Sequence, residues 1–164
     1  METAEGKMRL RSKLHPGDLG AIIALHGTTY SREQKYDLSF EAYVAGPLAE
    51  FTLRASPREK LWLAERAGKL AGCVAVVEAP DETGQIRWFL VEANSRGLGI
   101  GRKLLTEAVR FCKSAKYESV TLWTVGALFA ASRLYQSFGF QKVEEKPGSK
   151  WGVQVVEEKY ELKL

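Results

Sequence analysis

The stretch VEANSRGLGIGRKLLTEAVRFC, residues 91–112, constrains this chain more than any other. Gly97, Gly99 and Gly101 stand at every second position where an amphipathic helix begins, with Ile100, Leu104, Leu105, Ala108, Val109 and Cys112 on one face. Glycine costs a helix about 1 kcal/mol relative to alanine, so three of them at its start need a compensating role. Alternating glycines let several backbone N–H groups converge on one anion, and the helix dipole adds attraction. Arg96, Arg102 and Lys103 can neutralise charge at the rim. The segment therefore reads as a metal-free cradle for a phosphorylated cofactor.

Two other nucleotide signatures fail. A GxGxxG fingerprint started at Gly97 ends on Arg102, and one started at Gly99 ends on Leu104; no register supplies GxxxxGK followed by Ser or Thr. A glycine-rich connection that merely packs tightly remains the structural alternative.

Around this segment the periodicity changes several times. KMRLRS alternates like a strand, and HPGDLGAIIALHGTTYS and SFEAYVAGPLAEFTLRA repeat apolar residues at helical spacing, the second with a Gly46-Pro47 pair expected to bend or divide it. EKLWLAERAGKLAGCVAVVEA reads as a hairpin turning at Ala67-Gly68-Lys69, and QIRWFLVE as a third strand. YESVTLWTV is a strand, ALFAASRLYQSFG a helix stopped by Gly139, and FQKVEE and VQVVEEKYELKL close the chain as strands. The order β-α-α-β-β-β-α-β-α-β-β predicts an α/β fold, a mixed sheet flanked by helices with at least one right-handed crossover. Residues 8–164 read as a single domain after a disordered extension of residues 1–7.

The 164 residues, 45% hydrophobic and 27% charged, suit one soluble domain, and no apolar run reaches the length of a membrane span. Without a signal-like segment in METAEGKMRLRSK, a cytoplasmic location is expected. Two cysteines and two histidines, none in CxxC spacing, argue against a disulfide framework or a metal site. A net charge of +4 is spread along the chain, with no basic recognition helix for nucleic acid.

RGLGIG matches the Arg/Gln-x-x-Gly-x-Gly/Ala signature of the GNAT superfamily of N-acetyltransferases, with Arg96, Gly99 and Gly101 at its defining positions. LWTVGALFAASRLYQSFGF resembles the second half of that fold, with Ala131, Leu134, Tyr135, Gly139 and Phe140 in place. HPGDLGAIIALHGTTYSREQKY and LTEAVRFCKSAKYESVTLWT look like the acetyltransferase portion of bacterial MarR–GNAT fusion proteins; the enzyme is carried over from that likeness and the regulator is not.

The resemblance implies a GNAT-type splayed sheet and acetyl-CoA as acyl donor, attacked directly by a primary amine of a small molecule or protein. The backbone of Leu90 and Val91 would pair with the pantetheine arm. Arg96, Gly97, Leu98, Gly99, Ile100, Gly101, Arg102 and Lys103 would hold the pyrophosphate. Tyr135 matches the family's general acid. Many relatives carry Asn where Leu128 stands, and some place a catalytic Glu near Gln85, so the base is not assigned by resemblance. Glu92 is the first candidate and His26 the second. Tyr30, Tyr36, Phe40 and Trp123 shape either the acceptor site or the core. The acceptor itself stays open, because Arg32, Glu33, Lys35, Tyr36 and Asp37 could receive either charge sign. A homodimer is compatible with the family. A non-catalytic acyl-CoA-binding or sensing module is the alternative to an enzyme.

Overall fold

The computed structural model describes residues 7–164. Apart from Lys7, the expected N-terminal extension lies outside the described residues. Seven strands form one sheet: β1 (Met8–Arg11), β2 (Lys60–Arg66), β3 (Lys69–Ala79), β4 (Thr83–Val91), β5 (Ser119–Val125), β6 (Gln141–Lys150) and β7 (Val153–Lys163). The spatial order is β1-β2-β3-β4-β5-β7-β6, and only β4 and β5 run parallel. Four helices flank it: α1 (Asp18–Gln34), α2 (Leu38–Arg54), α3 (Ile100–Ser114) and α4 (Phe129–Ser137). The order of elements is the one expected from the periodicity.

The β2–β3 turn has two residues, Ala67 and Gly68, both with positive φ, the backbone twist that a two-residue hairpin demands. Pro47 does not divide α2, which runs unbroken from Leu38 to Arg54. The penultimate strand continues past FQKVEE through Pro147 to Lys150; β6 is the sheet's edge, where a residue without an N–H is tolerated.

The sheet separates two cores. On one face α1 and α2 bury Ile22, Phe40, Val44 and Leu48 against Leu63, Cys73, Trp88 and Leu90. On the other, α3 buries Ile100, Leu104, Leu105 and Ala108 against Val74, Val76, Ile86, Val120 and Leu122. Gly72 lets the start of α3 sit down on β3: a Cβ there would lie 3.0 Å from the Leu90 carbonyl oxygen, 3.2 Å from Leu104 and 3.3 Å from Ile100.

Two irregularities in the middle of the sheet create the site. The parallel ladder spans only Thr83–Ile86 against Ser119–Leu122, so beyond it β4 and β5 part. At the same level β4 carries an extra residue. Cys73 pairs with Leu90 and Ala75 with Arg87, so three steps of β4 face two of β3, and Trp88 takes a φ of 49°. Such a bulge places consecutive side chains on one face. Arg87 accordingly lies over the Trp88 ring, 4.8 Å from its centroid, on the side of α1 and α2.

Candidate active site

The gap between the parted strands opens into a cavity of about 990 Å³ that reaches both sheet faces. Its floor is β4 from Gln85 to Val91 and β5 from Leu122 to Val125; α3 and α4 begin on one side, and α1 and α2 close the other.

The glycine loop forms one end. Gly97 and Gly99 have φ of 78° and 81°, the left-handed region that glycine enters without strain. Gly99 is the N-cap of α3, and no side chain caps it. The first N–H groups of a helix have no intrahelical acceptor, and here Lys103 N–H is the first to bond back, to the Gly99 carbonyl at 3.1 Å. The first turn of α3 contains no acidic residue. Nothing lies within 4 Å of a Cβ built on Gly97 or Gly99, and both residues line the cavity. A diphosphate fits such a place, met by backbone donors and the positive helix end.

Gly101 is different. Its backbone is helical, and an added Cβ would make ordinary contacts, all at 3.6 Å, with Leu134, Phe89 and Val91. A small side chain would therefore fit here between α3, α4 and β4.

The basic residues of this segment are partly engaged. The Arg96 guanidinium grips Glu33 of α1 through two bonds of 2.6 and 2.9 Å, and its Nε donates to the Val91 carbonyl at 3.2 Å. That ion pair holds Glu33 below the usual carboxylate range. Arg102 donates to the Ser137 hydroxyl at 3.1 Å and lies over the Phe138 ring. Leu98 is exposed, and neither Leu98 nor Lys103 lines the cavity.

Tyr135 projects from α4 into the cavity wall, packed among Phe89, Phe140 and Tyr160 at centroid distances of 5.8–6.0 Å. It is 5% exposed, and burial raises its hydroxyl well above the ordinary phenol value, so it keeps its proton at neutral pH. Leu128 is the N-cap of α4 and supplies no capping hydrogen bond.

Among the proton acceptors expected from the sequence, His26 lines the cavity and Glu92 does not. His26 is buried, and desolvation lowers its pKa to about 4; Nδ1–H donates to the Ile22 carbonyl at 2.8 Å, leaving Nε2 as an acceptor on a neutral ring. Glu92 accepts a 3.3 Å bond from the Ser95 hydroxyl, and Ser95 does line the cavity.

Four charged residues not singled out from the sequence also reach the wall: Arg87, Lys146, Lys150 and Glu157. Period-two alternation alone could place each on a sheet face. Their convergence needed the β4 bulge and the pairing of Lys146 with Glu157 across β6 and β7. Tyr30, Tyr36, Phe40 and Trp123 all line the cavity, and Trp151 from the β6–β7 turn joins them.

Known proteins share this architecture and parts of this sequence. A structure from Salmonella typhimurium solved with its cofactor acetyl-CoA superposes with a TM-score of 0.75 at 20% identity, covering 96% of this chain and 94% of that one. An uncharacterized N-acetyltransferase of Schizosaccharomyces pombe is 33% identical over 118 residues, 70% of this chain and 72% of that protein. N-acetyltransferase family 8 member 3 of Rattus norvegicus is 36% identical over 89 residues, 51% of this chain and 39% of that protein. The chain spans only about a third of the length of the vertebrate relatives it matches. The family model of the acetyltransferase (GNAT) family matches residues 24–140, which include the parted strands, the glycine loop and Tyr135. Sheet, loop and sequence agree, and the chain belongs to the acetyltransferase (GNAT) family.

Proposed function

We propose that residues 8–164 act as one N-acetyltransferase domain that moves the acetyl group of acetyl-CoA directly onto a primary amine. The observation that carries this reading is a single cavity holding both an uncapped helix start behind positive-φ glycines and a buried, protonated tyrosine. The donor supplies an acyl group activated as a thioester. Leu90 and Val91 offer the free edge of β4 to its pantetheine arm, in the place of the missing parallel strand. The amides from Gly97 to Arg102 hold the diphosphate, with Leu98 at the loop tip and Arg96, Arg102 and Lys103 supplying positive charge. Tyr135 gives its proton to the departing sulfur.

Removal of the amine's proton has fewer candidates. His26 stays neutral in the working range because protonating it would charge a buried ring. Glu92 acts through Ser95, the group between its carboxylate and the cavity. The two free, buried cysteines, Cys73 and Cys112, suit a reducing cytoplasm. A non-catalytic acyl-CoA-binding module is the second reading, favoured by Leu128, whose side chain offers no hydrogen bond at the start of α4.

Calorimetric titration with acetyl-CoA, and with NADH as a control, tests the cradle. Turnover of Tyr135→Phe then separates the readings. The enzyme reading expects acetyl-CoA affinity to hold while kcat falls about 10²- to 10⁴-fold. Absence of acetyl-CoA binding refutes both readings; unchanged kcat refutes the role of Tyr135.

A further inference from the structure

The acceptor half of the cavity has a charge pattern that points to one class of amine. Among the described residues its wall contains two carboxylates, Glu33 and Glu157, and both are already matched. Glu33 is held by Arg96, and Glu157 pairs with Lys150 at 2.7 Å. Of the basic groups on the wall, Arg102 belongs to the glycine-loop end. Arg87 and Lys146 have no carboxylate partner among the described residues. The Arg87 guanidinium, half-buried at the bulge, lies 4.8 Å from the centroid of Trp88 and 5.9 Å from that of Tyr43. Lys146 Nζ lies 5.2 Å from the centroid of Trp123 on β5, across the gap from Arg87. Beside them stands an aromatic wall in which Tyr36, Phe40 and Tyr43 surround Trp151 at 4.9–5.4 Å.

Resting on the acetyltransferase reading above, we propose that the acceptor is an amine that carries its own carboxylate and an apolar body, an apolar or aromatic amino acid. Arg87 and Lys146 receive the carboxylate, and Tyr36, Phe40, Tyr43 and Trp151 receive the side chain. A guanidinium with unused donors is well suited to a planar carboxylate. A purely cationic acceptor, such as a polyamine, finds no unmatched carboxylate on this wall and meets two unpaired positive charges. The same two charges assist the chemistry, because nearby cations disfavour the ammonium form of the bound amine and release its lone pair for attack. A dedicated strong base is then less needed, in keeping with the scarcity of free carboxylates.

The test compares matched acceptors that differ only in the carboxylate. Phenylalanine, tryptophan and leucine are each assayed against their decarboxylated amines, with spermidine included, by release of the CoA thiol. The expected result is a kcat/KM at least tenfold higher for the amino acid in one or more pairs. Arg87→Gln should cut that preference to near unity, and Lys146→Gln should reduce it. The acetyl-CoA affinity of each variant reports whether it is folded and loaded. In parallel, quenching of Trp88, Trp123 and Trp151 fluorescence in the CoA-loaded protein measures amino-acid binding without turnover. Equal or better use of the decarboxylated amines or of spermidine overturns the proposal, as does absence of both saturable amino-acid binding and transfer. Acetyl-CoA binding that persists in those cases leaves the acetyltransferase reading standing, and its loss in the unmodified protein removes both.

Discussion

Replacing Gly99 and Gly101 separately by alanine should have opposite effects, although the two glycines are neighbours in one motif. At Gly99 the backbone is left-handed, with φ 81° and ψ 7°, where a residue with a Cβ pays about 1–2 kcal/mol. No atom lies within 4 Å of the new methyl, so the loss is conformational and not steric. For a chain of this size 1 kcal/mol corresponds to about 2–4 °C, so Gly99→Ala should lower Tm by about 2–8 °C. A loop that relaxes from this conformation also misdirects its amides. Each hydrogen bond to a charged group contributes about 1.5–3 kcal/mol, so acetyl-CoA affinity should fall about 10- to 100-fold. At Gly101 the conformation is helical and the new methyl meets three side chains at a normal 3.6 Å. Alanine there gains about 0.5–1 kcal/mol of helix propensity, raising Tm by about 1–4 °C. The signature that RGLGIG resembles accepts alanine at this second position, in line with the geometry. Thermal denaturation and calorimetry read both effects. Equal destabilisation by the two substitutions, or an unchanged Tm and affinity in Gly99→Ala, would refute the argument.

Three further outcomes follow from other parts of the molecule. His26 has a folded-state pKa of about 4 against about 6.5 in an unfolded chain, so between those values the unfolded state binds the extra proton. Stability is therefore full above pH 6.5 and falls as pH drops toward 4, by at most about 1.4 kcal/mol per unit; His26→Gln should flatten this limb in urea titrations at stepped pH. Gly72→Ala forces a methyl to within 3.0 Å of the Leu90 carbonyl and should cost about 1–3 kcal/mol, measurable as a lower denaturation midpoint with unchanged slope. Glu33→Gln removes a negative charge from the cavity and releases Arg96. Stability should change by less than about 1 kcal/mol, while acetyl-CoA affinity rises several-fold at low salt and loses that gain at high salt; unchanged affinity would separate Arg96 from the phosphate site.

The fold was legible wherever the signal was local. Alternation marked the strands, Gly139 with φ 95° stopped α4, and the glycine segment lay at the junction it was expected to occupy. The misreadings came from context. The Gly46-Pro47 pair was expected to bend or divide α2, and the helix is not divided: Val44, Leu48 and Phe51 are buried along its continuous length. The end of β6 was hidden because Pro147 normally stops a strand, and only an edge position permits it. The acceptor half was the least legible. Trp88 in the left-handed region is unusual for a bulky residue, no residue type announces it, and without that bulge Arg87 and Trp88 would face opposite sides of the sheet.

The four-pair seam between β4 and β5 makes the sheet two half-sheets with a shared hem. A ligand lying in the open part of the seam stitches them, so part of the binding energy is felt as cohesion of the domain. At one hundred times its Kd such a ligand adds about 2.7 kcal/mol to apparent stability. On the acetyltransferase reading proposed above, a domain built this way would couple its lifetime to the supply of its acyl donor.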